Sequence, residues 1–346
     1  MKNTILILGL FAALVVTSFW FSKPDFPILT AENRSQAQAD STAFSFVELG
    51  EGIIHYRAEG PEQAPTVVLI HGFSTPSFVW EDYFAPLTKA GYRVVSFDNY
   101  GRGFSDRPDG NYSADRTDGL LIELLDHLNI TRPVHLVGYS MGGATAAVFT
   151  QRHPTKVRTL SLIAPAGTGK TSLVQNALAL PVLGEIVMAT LGPRIVGNAT
   201  LTAAAESPDP EAFVTSFNVQ TSFAGYYDAL LSTLRHYPLT GAEPSFQAIG
   251  QTNLPVQLIW GEADDRVAFA QAEPMLGLLP QAILHSFPEI GHDITFSQVD
   301  LVAPLLLTFI EENRVRQTTG GIGGKARGPD ARMEPADCLC HDENVL

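Results

Sequence analysis

The sequence predicts an α/β fold with a mostly parallel central sheet and helices on both faces. Short apolar runs of strand length alternate with longer helix-compatible segments along most of the chain. Several apolar runs end in loops rich in glycine and polar residues, as strands do at the functional edge of a parallel sheet. The chain has 346 residues, and 45% of them are hydrophobic, which is enough for one core with an insertion.

The predicted elements follow this alternation along the chain. Alternating apolar residues over 46–49 and 53–56, around Gly50-Glu51-Gly52, predict an antiparallel hairpin at the start of the fold. Apolar runs then predict strands at 66–70, 93–97, 134–137, 160–163, 254–260 and 283–287. Helices are predicted at 80–89, 113–129, 140–153, 269–279 and 295–315.

The regular alternation breaks between residues 168 and 250. The sequence predicts a helical insertion there, within a core formed by 44–167 and 251–315. The insertion is rich in Leu, Val, Ile and Phe, and we expect some of these side chains to line an apolar substrate pocket. Its string from Thr168 to Thr171 resembles the end of a phosphate-binding loop, but Ala164 stands where that motif needs its first glycine. No nucleotide cofactor is predicted.

An uncharged apolar run from Thr4 to Ser22 precedes the predicted fold. At 1.5 Å per residue such a helix nearly spans a bilayer core of about 30 Å. Because no small-residue cleavage site follows closely, we expect residues 1–23 to form an uncleaved signal anchor with the folded domain outside the cytoplasm. Cleavage as a signal peptide, giving a secreted or periplasmic protein, is the alternative. Residues 24–43 predict a polar tether.

Charge and the carboxyl-terminal segment exclude some partners. The net charge is −14 with no block of Lys or Arg, so no nucleic-acid partner is predicted. Residues 316–346 are rich in glycine and charge and predict a disordered tail. Both cysteines, Cys338 and Cys340, lie in it, and with His341 they offer too few ligands for a structural metal site.

The strongest chemical signal is Gly138-Tyr139-Ser140-Met141-Gly142, which lies between a predicted strand and a predicted helix. A sharp strand-to-helix turn of this kind exposes the hydroxyl of its central serine at the edge of the sheet. The flanking glycines remove side chains that would clash in the turn. Ser140 is therefore the predicted nucleophile.

A serine on such a turn needs an acid and a base later in the chain, in that order. The strand at 283–287 runs into the loop that carries His292, the predicted base, whereas His285 lies within the strand and is expected to be structural. The strand at 254–260 runs into a loop that carries Asp264, the predicted acid. Asp265 and Glu262 lie in the same loop and are alternatives.

The remaining requirement is an oxyanion hole. Backbone N–H groups of the residue after the nucleophile and of an early strand–helix loop supply it in this architecture. Met141 follows Ser140, and Phe73 lies in the loop His71-Gly72-Phe73-Ser74 after an apolar strand. We therefore expect the N–H groups of Phe73 and Met141 to form the hole and His71 to brace the loop without proton chemistry.

With these motifs the chain resembles the α/β-hydrolase superfamily over residues 44–315. The resemblance rests on His71-Gly72-Phe73, the loop 98–105, the Ser140 turn, the loop 260–264 and Gly291-His292. It implies the α/β-hydrolase fold with the insertion as a helical cap, Asp264 as the acid, and no cofactor. Loop 98–105 is expected to shape the floor of the site, with no catalytic role for Arg102.

The resemblance is strongest to bacterial esterases and lipases of the monoacylglycerol-lipase-like type. It implies a serine carboxylic-ester hydrolase that works through an acyl-enzyme. The acyl chain of the substrate is expected to be of medium or longer length. A carbon–carbon bond hydrolase or a cofactor-free perhydrolase on the same triad is an alternative. Tyr139 before the serine and Asp293 after the histidine disfavour the carbon–carbon hydrolases, which usually carry Asn and Trp there. A non-catalytic binding protein on this scaffold is the remaining alternative.

Overall fold

A computed structural model describes residues 25–41 and 43–318 of the chain. The predicted anchor at 1–23 and the cysteines of the predicted tail lie outside the described residues. Residues 316–318, which were predicted to belong to the disordered tail, continue the last helix.

One eight-stranded sheet forms the centre of the fold, in the order β1-β2-β4-β3-β5-β6-β7-β8. The first two strands form the predicted hairpin and pair antiparallel, and the remaining strands are parallel. This confirms the predicted mostly parallel sheet. The strands are β1 (Ser45–Leu49), β2 (Gly52–Glu59), β3 (Thr66–Ile70), β4 (Arg93–Phe97), β5 (Val134–Tyr139), β6 (Val157–Ile163), β7 (Val256–Gly261) and β8 (Ile283–Phe287).

Helices cover both faces of this sheet, and the predicted core helices are all present with ends shifted by a few residues. The helix predicted at 80–89 is a 3₁₀ segment, Ser77–Tyr83, followed by α2. The α-helices are α1 (Ala31–Asp40), α2 (Phe84–Lys89), α3 (Ala114–His127), α4 (Met141–Arg152), α5 (Leu173–Ala179), α6 (Leu183–Thr190), α7 (Gly192–Ala204), α8 (Pro210–Thr221), α9 (Tyr226–His236), α10 (Glu243–Gly250), α11 (Ala272–Leu278), α12 (Ile294–Ser297) and α13 (Val299–Thr318).

The central strands are mostly apolar, and their few polar side chains are buried, because both faces of the sheet are covered. Every residue of β3, β4, β5 and β7 is buried. Strands buried on both faces need no polar alternation, unlike strands with one wet face. This is why short unbroken apolar runs were sufficient to locate these strands.

The order of the strands reverses beside β3. Strand β4 lies on one side of β3 and β5 on the other, so the loops after β3 and β5 leave the sheet next to each other. Such a switch point leaves a crevice at the carboxyl edge of a parallel sheet, where ligands bind. The fold therefore brings the loop that begins at His71 against the turn at Ser140.

Five helices, α5 to α9, form the cap between β6 and the rest of the core. The sequence placed residues up to 250 in this insertion, but α10 packs against α4, and the Ser245 hydroxyl donates to Gln151 Oε1 at 2.7 Å. Adjacent parallel strands need a crossover connection, usually a helix, and α10 serves as that helix between β6 and β7. The cap itself ends near Ala242.

The expectation of a free polar tether does not match residues 25–41. Helix α1 begins with Thr30 as its N-cap, and Thr30 and Asn33 form a reciprocal capping box. Arg34 is buried and donates to the carbonyl of Phe104 at 3.1 Å and to the carboxylate of Asp106. This segment is therefore a folded part of the domain.

Within the described ranges, no single helix has the length and hydropathy to cross a membrane. Helices α5 and α6 together satisfy length and composition, but they meet at 106°.

Candidate active site

The turn at Ser140 holds its backbone in a conformation that few residues adopt. Ser140 has φ 54° and ψ −117°, directly between β5 and α4. A Cβ at Gly138 would lie 2.2 Å from the Gly142 carbonyl oxygen, and a Cβ at Gly142 would lie 2.2 Å from the Ile70 carbonyl oxygen. Glycine at these two positions therefore allows the turn to press against the end of β3, with Ser140 at the crevice.

The three side chains predicted to form a triad lie in one hydrogen-bonded chain. His292 Nε2 is 3.0 Å from Ser140 Oγ, and His292 Nδ1 is 2.7 Å from Asp264 Oδ2. The other oxygen, Asp264 Oδ1, accepts from the backbone N–H groups of Arg266 at 2.9 Å and Val267 at 2.8 Å. These bonds fix the carboxylate, which in turn holds the imidazole with Nδ1 protonated and Nε2 facing the serine.

The alternatives for the acid and base lie elsewhere. The side chain of Asp265 is 88% exposed and lies near Arg266. Glu262 accepts from the Ser286 hydroxyl at 2.7 Å. His285 is part of β8, where burial lowers its pKa. The structure thus brings Asp264 and His292, and not these neighbours, to Ser140.

The two expected oxyanion donors flank the serine. Met141 is the first residue of α4, so its N–H lies at the positive end of a 12-residue helix. Phe73 lies in the loop after β3. A Cβ at the neighbouring Gly72 would lie 3.4 Å from the Ser140 Cβ, so this loop runs close to the serine. Neither N–H donates to a protein acceptor within the described ranges. Both groups are thus available to an oxyanion.

His71 fixes the peptide group that carries the Phe73 N–H. Its Nδ1–H donates to the Gly72 carbonyl at 2.8 Å, and its Nε2 accepts from the Asn99 N–H at 2.9 Å. Burial, reinforced by nearby Arg102 and opposed by Asp98, lowers the His71 pKa to about 4. His71 is therefore neutral near pH 7 and holds the loop, in line with the expected bracing role.

Loop 98–105 lies beneath this loop and is organised by Asp98. The buried carboxylate accepts from the Ser77 N–H at 2.8 Å and the Phe104 N–H at 3.0 Å, and it pairs with His55 Nδ1 at 2.7 Å. Burial opposes ionisation, but His55, His71 and the hydrogen bond from Ser77 together outweigh it, so the Asp98 pKa lies well below its ordinary value. Asp98 thus joins β2, the 3₁₀ segment and the floor of the site.

Aromatic side chains from the core and the cap form a cluster that reaches Tyr139, the residue before the serine. Phe213 of α8 lies 4.6 Å from Phe296 and 5.0 Å from Phe78 between ring centroids. On the side of Phe73, the buried Met188, Tyr226, Leu230 and Leu231 form a second apolar cluster. The cap therefore contributes apolar side chains that pack against core loops next to the site.

Tyr139 has a role that the sequence did not reveal. Its hydroxyl donates to the His292 carbonyl at 2.8 Å, and its ring lies 5.1 Å from the imidazole. Burial, with Asp264 and Asp293 nearby, raises the Tyr139 pKa well above its ordinary value, so the hydroxyl stays protonated. Its position next to Ser140 was the only available signal, because the contact spans residues far apart in the chain.

The described side chains offer no cluster of three His, Cys, Asp or Glu that could hold a metal ion. The arrangement has instead a nucleophile, a base, an orienting acid and two N–H donors. These groups can carry out acyl transfer with the protein's own residues.

Residues 67–305 match the profile of the alpha/beta hydrolase family, and the chain belongs to this family. It is a hydrolase with the alpha/beta hydrolase fold, as the sequence predicted. It is 28% identical, over 80% of its length and 98% of the relative, to a 2-hydroxy-6-oxononadienedioate/2-hydroxy-6-oxononatrienedioate hydrolase of Klebsiella pneumoniae.

Two solved structures illustrate the likeness of fold. A carboxylesterase from the thaumarchaeon Nitrososphaera gargenis aligns with a TM-score of 0.66 and 18% identity, covering 79% of this chain and all of that one. A bacterial membrane phospholipase A aligns with a TM-score of 0.63 and 22% identity, covering 91% of this chain and 99% of that one.

Proposed function

We propose that the protein is a serine carboxylic-ester hydrolase that acts through an acyl-enzyme on lipophilic esters. The observation that carries the proposal is the chain of hydrogen bonds from Ser140 Oγ through His292 to Asp264, at 3.0 Å and 2.7 Å. It adjoins two unbonded N–H groups and apolar walls.

The geometry supports the following steps. Ser140 Oγ attacks the ester carbonyl while His292 Nε2 takes its proton, and the Phe73 and Met141 N–H groups bind the developing oxyanion. His292 then gives the proton to the leaving alkoxide, which departs as an alcohol. Water, deprotonated by the same imidazole, then attacks the acyl-enzyme. The bond to Ser140 Oγ breaks, the imidazolium returns its proton to that oxygen, and the acid is released. Asp264 stabilises the imidazolium in both halves.

Replacement of the nucleophile tests this proposal. Ser140→Ala should reduce p-nitrophenyl ester turnover by about 10³-fold or more, because removing a triad member leaves only oxyanion binding. The folded wild type should also be labelled at Ser140 by a fluorophosphonate, and the variant should not. Full activity of a folded Ser140→Ala chain would overturn the proposal.

Carbon–carbon hydrolysis is the second candidate, and the curated relatives favour it. A dicarboxylate substrate of that class would need cations in the site. The cap offers Lys170 and Arg194, which are exposed, and Arg235, which pairs with Glu185. Arg102, the buried cation beside the oxyanion loop, already donates to the Phe73 carbonyl and to Thr233. This set of cations favours uncharged lipophilic esters. Turnover of a vinylogous diketone acid at least tenfold faster than of any p-nitrophenyl ester from acetate to decanoate would instead establish the second candidate.

The exposed face of the cap supports a lipid-borne substrate. Leu173, Val174 and Val182 are exposed, with Leu173 at 87%. Glu185 is the only ionisable residue between 171 and 193, and both of its oxygens bond to Arg235, at 2.5 Å and 3.0 Å. An apolar surface of this kind typically marks an interaction site.

The cap also lies against the segment that leads towards the predicted anchor. A cavity of about 440 Å³ is lined by Phe26 and Ile28 of this segment and by Ala189 and Tyr227 of the cap. We therefore propose that residues 1–23 anchor the enzyme in a membrane, with the domain outside the cytoplasm, and that the cap faces the lipid. Fractionation of cells tests the anchor: recovery of all the protein in the soluble extracytoplasmic fraction would overturn it.

A further inference from the structure

Two consecutive carbonyls of the oxyanion loop are held by side chains from outside it. Arg102 Nε donates to the Phe73 carbonyl at 3.0 Å, and the Tyr226 hydroxyl donates to the Ser74 carbonyl at 2.6 Å. Both carbonyls follow the Phe73 N–H directly in the chain. The Phe73 N–H belongs to the preceding peptide group, so movement of the two carbonyls reaches it through the backbone torsions of Phe73.

Arg102 is itself tied to the cap. Its Nη2 donates to Thr233 Oγ1 at 2.8 Å, and this hydroxyl donates to the Ala229 carbonyl at 2.8 Å. Tyr226 and Thr233 both belong to α9 and are seven residues apart, or about two turns, so they share one face of the helix. A single cap helix thus contacts the oxyanion loop twice, once directly and once through Arg102.

The burial of Arg102 sets it apart from an ordinary structural arginine. Arg102 is 1% exposed, and no acidic side chain of the described residues pairs with it. Tyr226, Tyr112 and Tyr237 surround it instead, and burial lowers its pKa to about 10. It therefore remains a cation near pH 7, satisfied by neutral oxygens. An uncompensated buried charge is costly for stability, which suggests that Arg102 has a function in the site.

We infer that Arg102, Tyr226 and Thr233 are positioning residues, through which cap helix α9 sets the direction of the Phe73 N–H in the oxyanion hole. Cap placement and stabilisation of the oxyanion are then coupled, since α9 cannot shift without moving the Phe73 and Ser74 carbonyls. This inference rests on the proposed acyl transfer at Ser140. It adds a function for the cap beyond covering the substrate.

Two variants that remove single hydroxyls test the inference. Tyr226→Phe deletes the bond to Ser74, and Thr233→Val deletes the bond to Arg102. Each is expected to lower kcat about tenfold with little change in KM, since loss of one direct oxyanion donor costs about 10²–10³. The affinity for a trifluoromethyl ketone, whose adduct carries an oxyanion, should fall by the same factor.

Matched controls separate positioning from general damage. Tyr227→Phe removes a neighbouring hydroxyl that does not bond to the loop. Thr200→Val removes a bond to Val196 within α7, of the same kind as the Thr233 bond within α9. Both controls should leave kcat and inhibitor affinity within about twofold of the wild type. Thermal unfolding of all four variants, followed by circular dichroism, corrects each rate for folded protein.

Hydrogen exchange gives a readout that does not depend on activity. The peptide covering residues 71–76 should exchange faster in Tyr226→Phe and Thr233→Val than in either control. Unchanged exchange and unchanged kcat in both variants would overturn the inference. If the wild type hydrolyses no ester and is not labelled by a fluorophosphonate, the proposed function fails. The hydrogen-exchange comparison then still decides whether α9 holds the oxyanion loop.

Discussion

The Tyr139 hydroxyl bonds to the His292 carbonyl at 2.8 Å, so the residue before the nucleophile holds the loop that carries the base. The same ring lies beside the imidazole. One side chain thus links the Ser140 turn to the His292 loop, which otherwise belong to strands separated in the sheet by β6 and β7.

Tyr139→Phe should therefore weaken catalysis more than stability. The ring stays in place, but the His292 loop loses the hydrogen bond that holds it, so kcat is expected to fall about tenfold. The free energy of unfolding should fall by about 1 kcal/mol, the usual contribution of one hydrogen bond. Steady-state kinetics and urea unfolding measure both. Tyr56→Phe is the control, since its hydroxyl lies 3.5 Å from His127, away from the site. An unchanged kcat would count against this role.

Asp264→Asn and Asp265→Asn should differ sharply. Asparagine at 264 keeps the shape but removes the charge that stabilises the His292 imidazolium, so kcat should fall by about 10³–10⁴. Asparagine at the exposed position 265 should leave kcat within about twofold. Ester hydrolysis at pH 7.5 measures both variants. A large loss at 265 with activity kept at 264 would reverse the assignment of the acid.

The sheet and the triad residues were predictable because their signals are local. Each triad residue follows an apolar strand, and parallel strands gather their carboxyl ends at one edge. The positioning contacts were not predictable in this way. Tyr139 reaches the backbone of His292, and Tyr226 reaches that of Ser74, across about 150 residues of sequence. Such contacts depend on tertiary packing and leave no spacing pattern.

Helix α1 was missed for a different reason. Its sequence is polar, with few apolar residues to give a helical period. A local signal did exist in Thr30 and Asn33, which cap the helix. What holds the helix on the domain is the buried Arg34, and an arginine in a polar segment ordinarily indicates solvent exposure.

Stability should depend on pH through His135. Burial, with some help from Arg158, lowers its pKa to about 3. The unfolded chain, with a pKa near 6.5, then binds the proton more readily than the folded one. The contribution of neutral His135 to the free energy of unfolding is fully present above about pH 6.5. It is lost progressively as the pH falls towards 3.

His135→Gln should therefore flatten the pH dependence. Between pH 6 and pH 4, the slope of the unfolding free energy should decrease by roughly 1 kcal/mol per pH unit relative to the wild type. Urea unfolding at several pH values measures the slope. The exposed His236→Gln is the control and should not alter it. Equal slopes in the wild type and His135→Gln would show that His135 does not titrate with folding.

Two truncations should separate the predicted anchor from helix α1. Removal of residues 1–24 leaves α1 and every catalytic residue, so activity on a soluble p-nitrophenyl ester and thermal stability should persist. Removal of residues 1–41 also takes away Arg34 and Ala37. It leaves the Asp106 carboxylate without its guanidinium and uncovers Phe104. The free energy of unfolding should then fall by about 2–4 kcal/mol.

The same truncations test the membrane proposal. The full chain should float with phosphatidylcholine vesicles and hydrolyse a long-chain ester carried in them, whereas the chain without residues 1–24 should lose most of both. Some residual flotation is expected from the exposed cap, because Leu173 and Val174 present apolar surface. Leu173→Asp in the truncated chain should abolish that residual binding, whereas Ile283→Asp, at an exposed position on β8, should not. Undiminished vesicle activity after removal of residues 1–24 would refute the anchor, and equal effects of the two Asp variants would refute a lipid-facing cap.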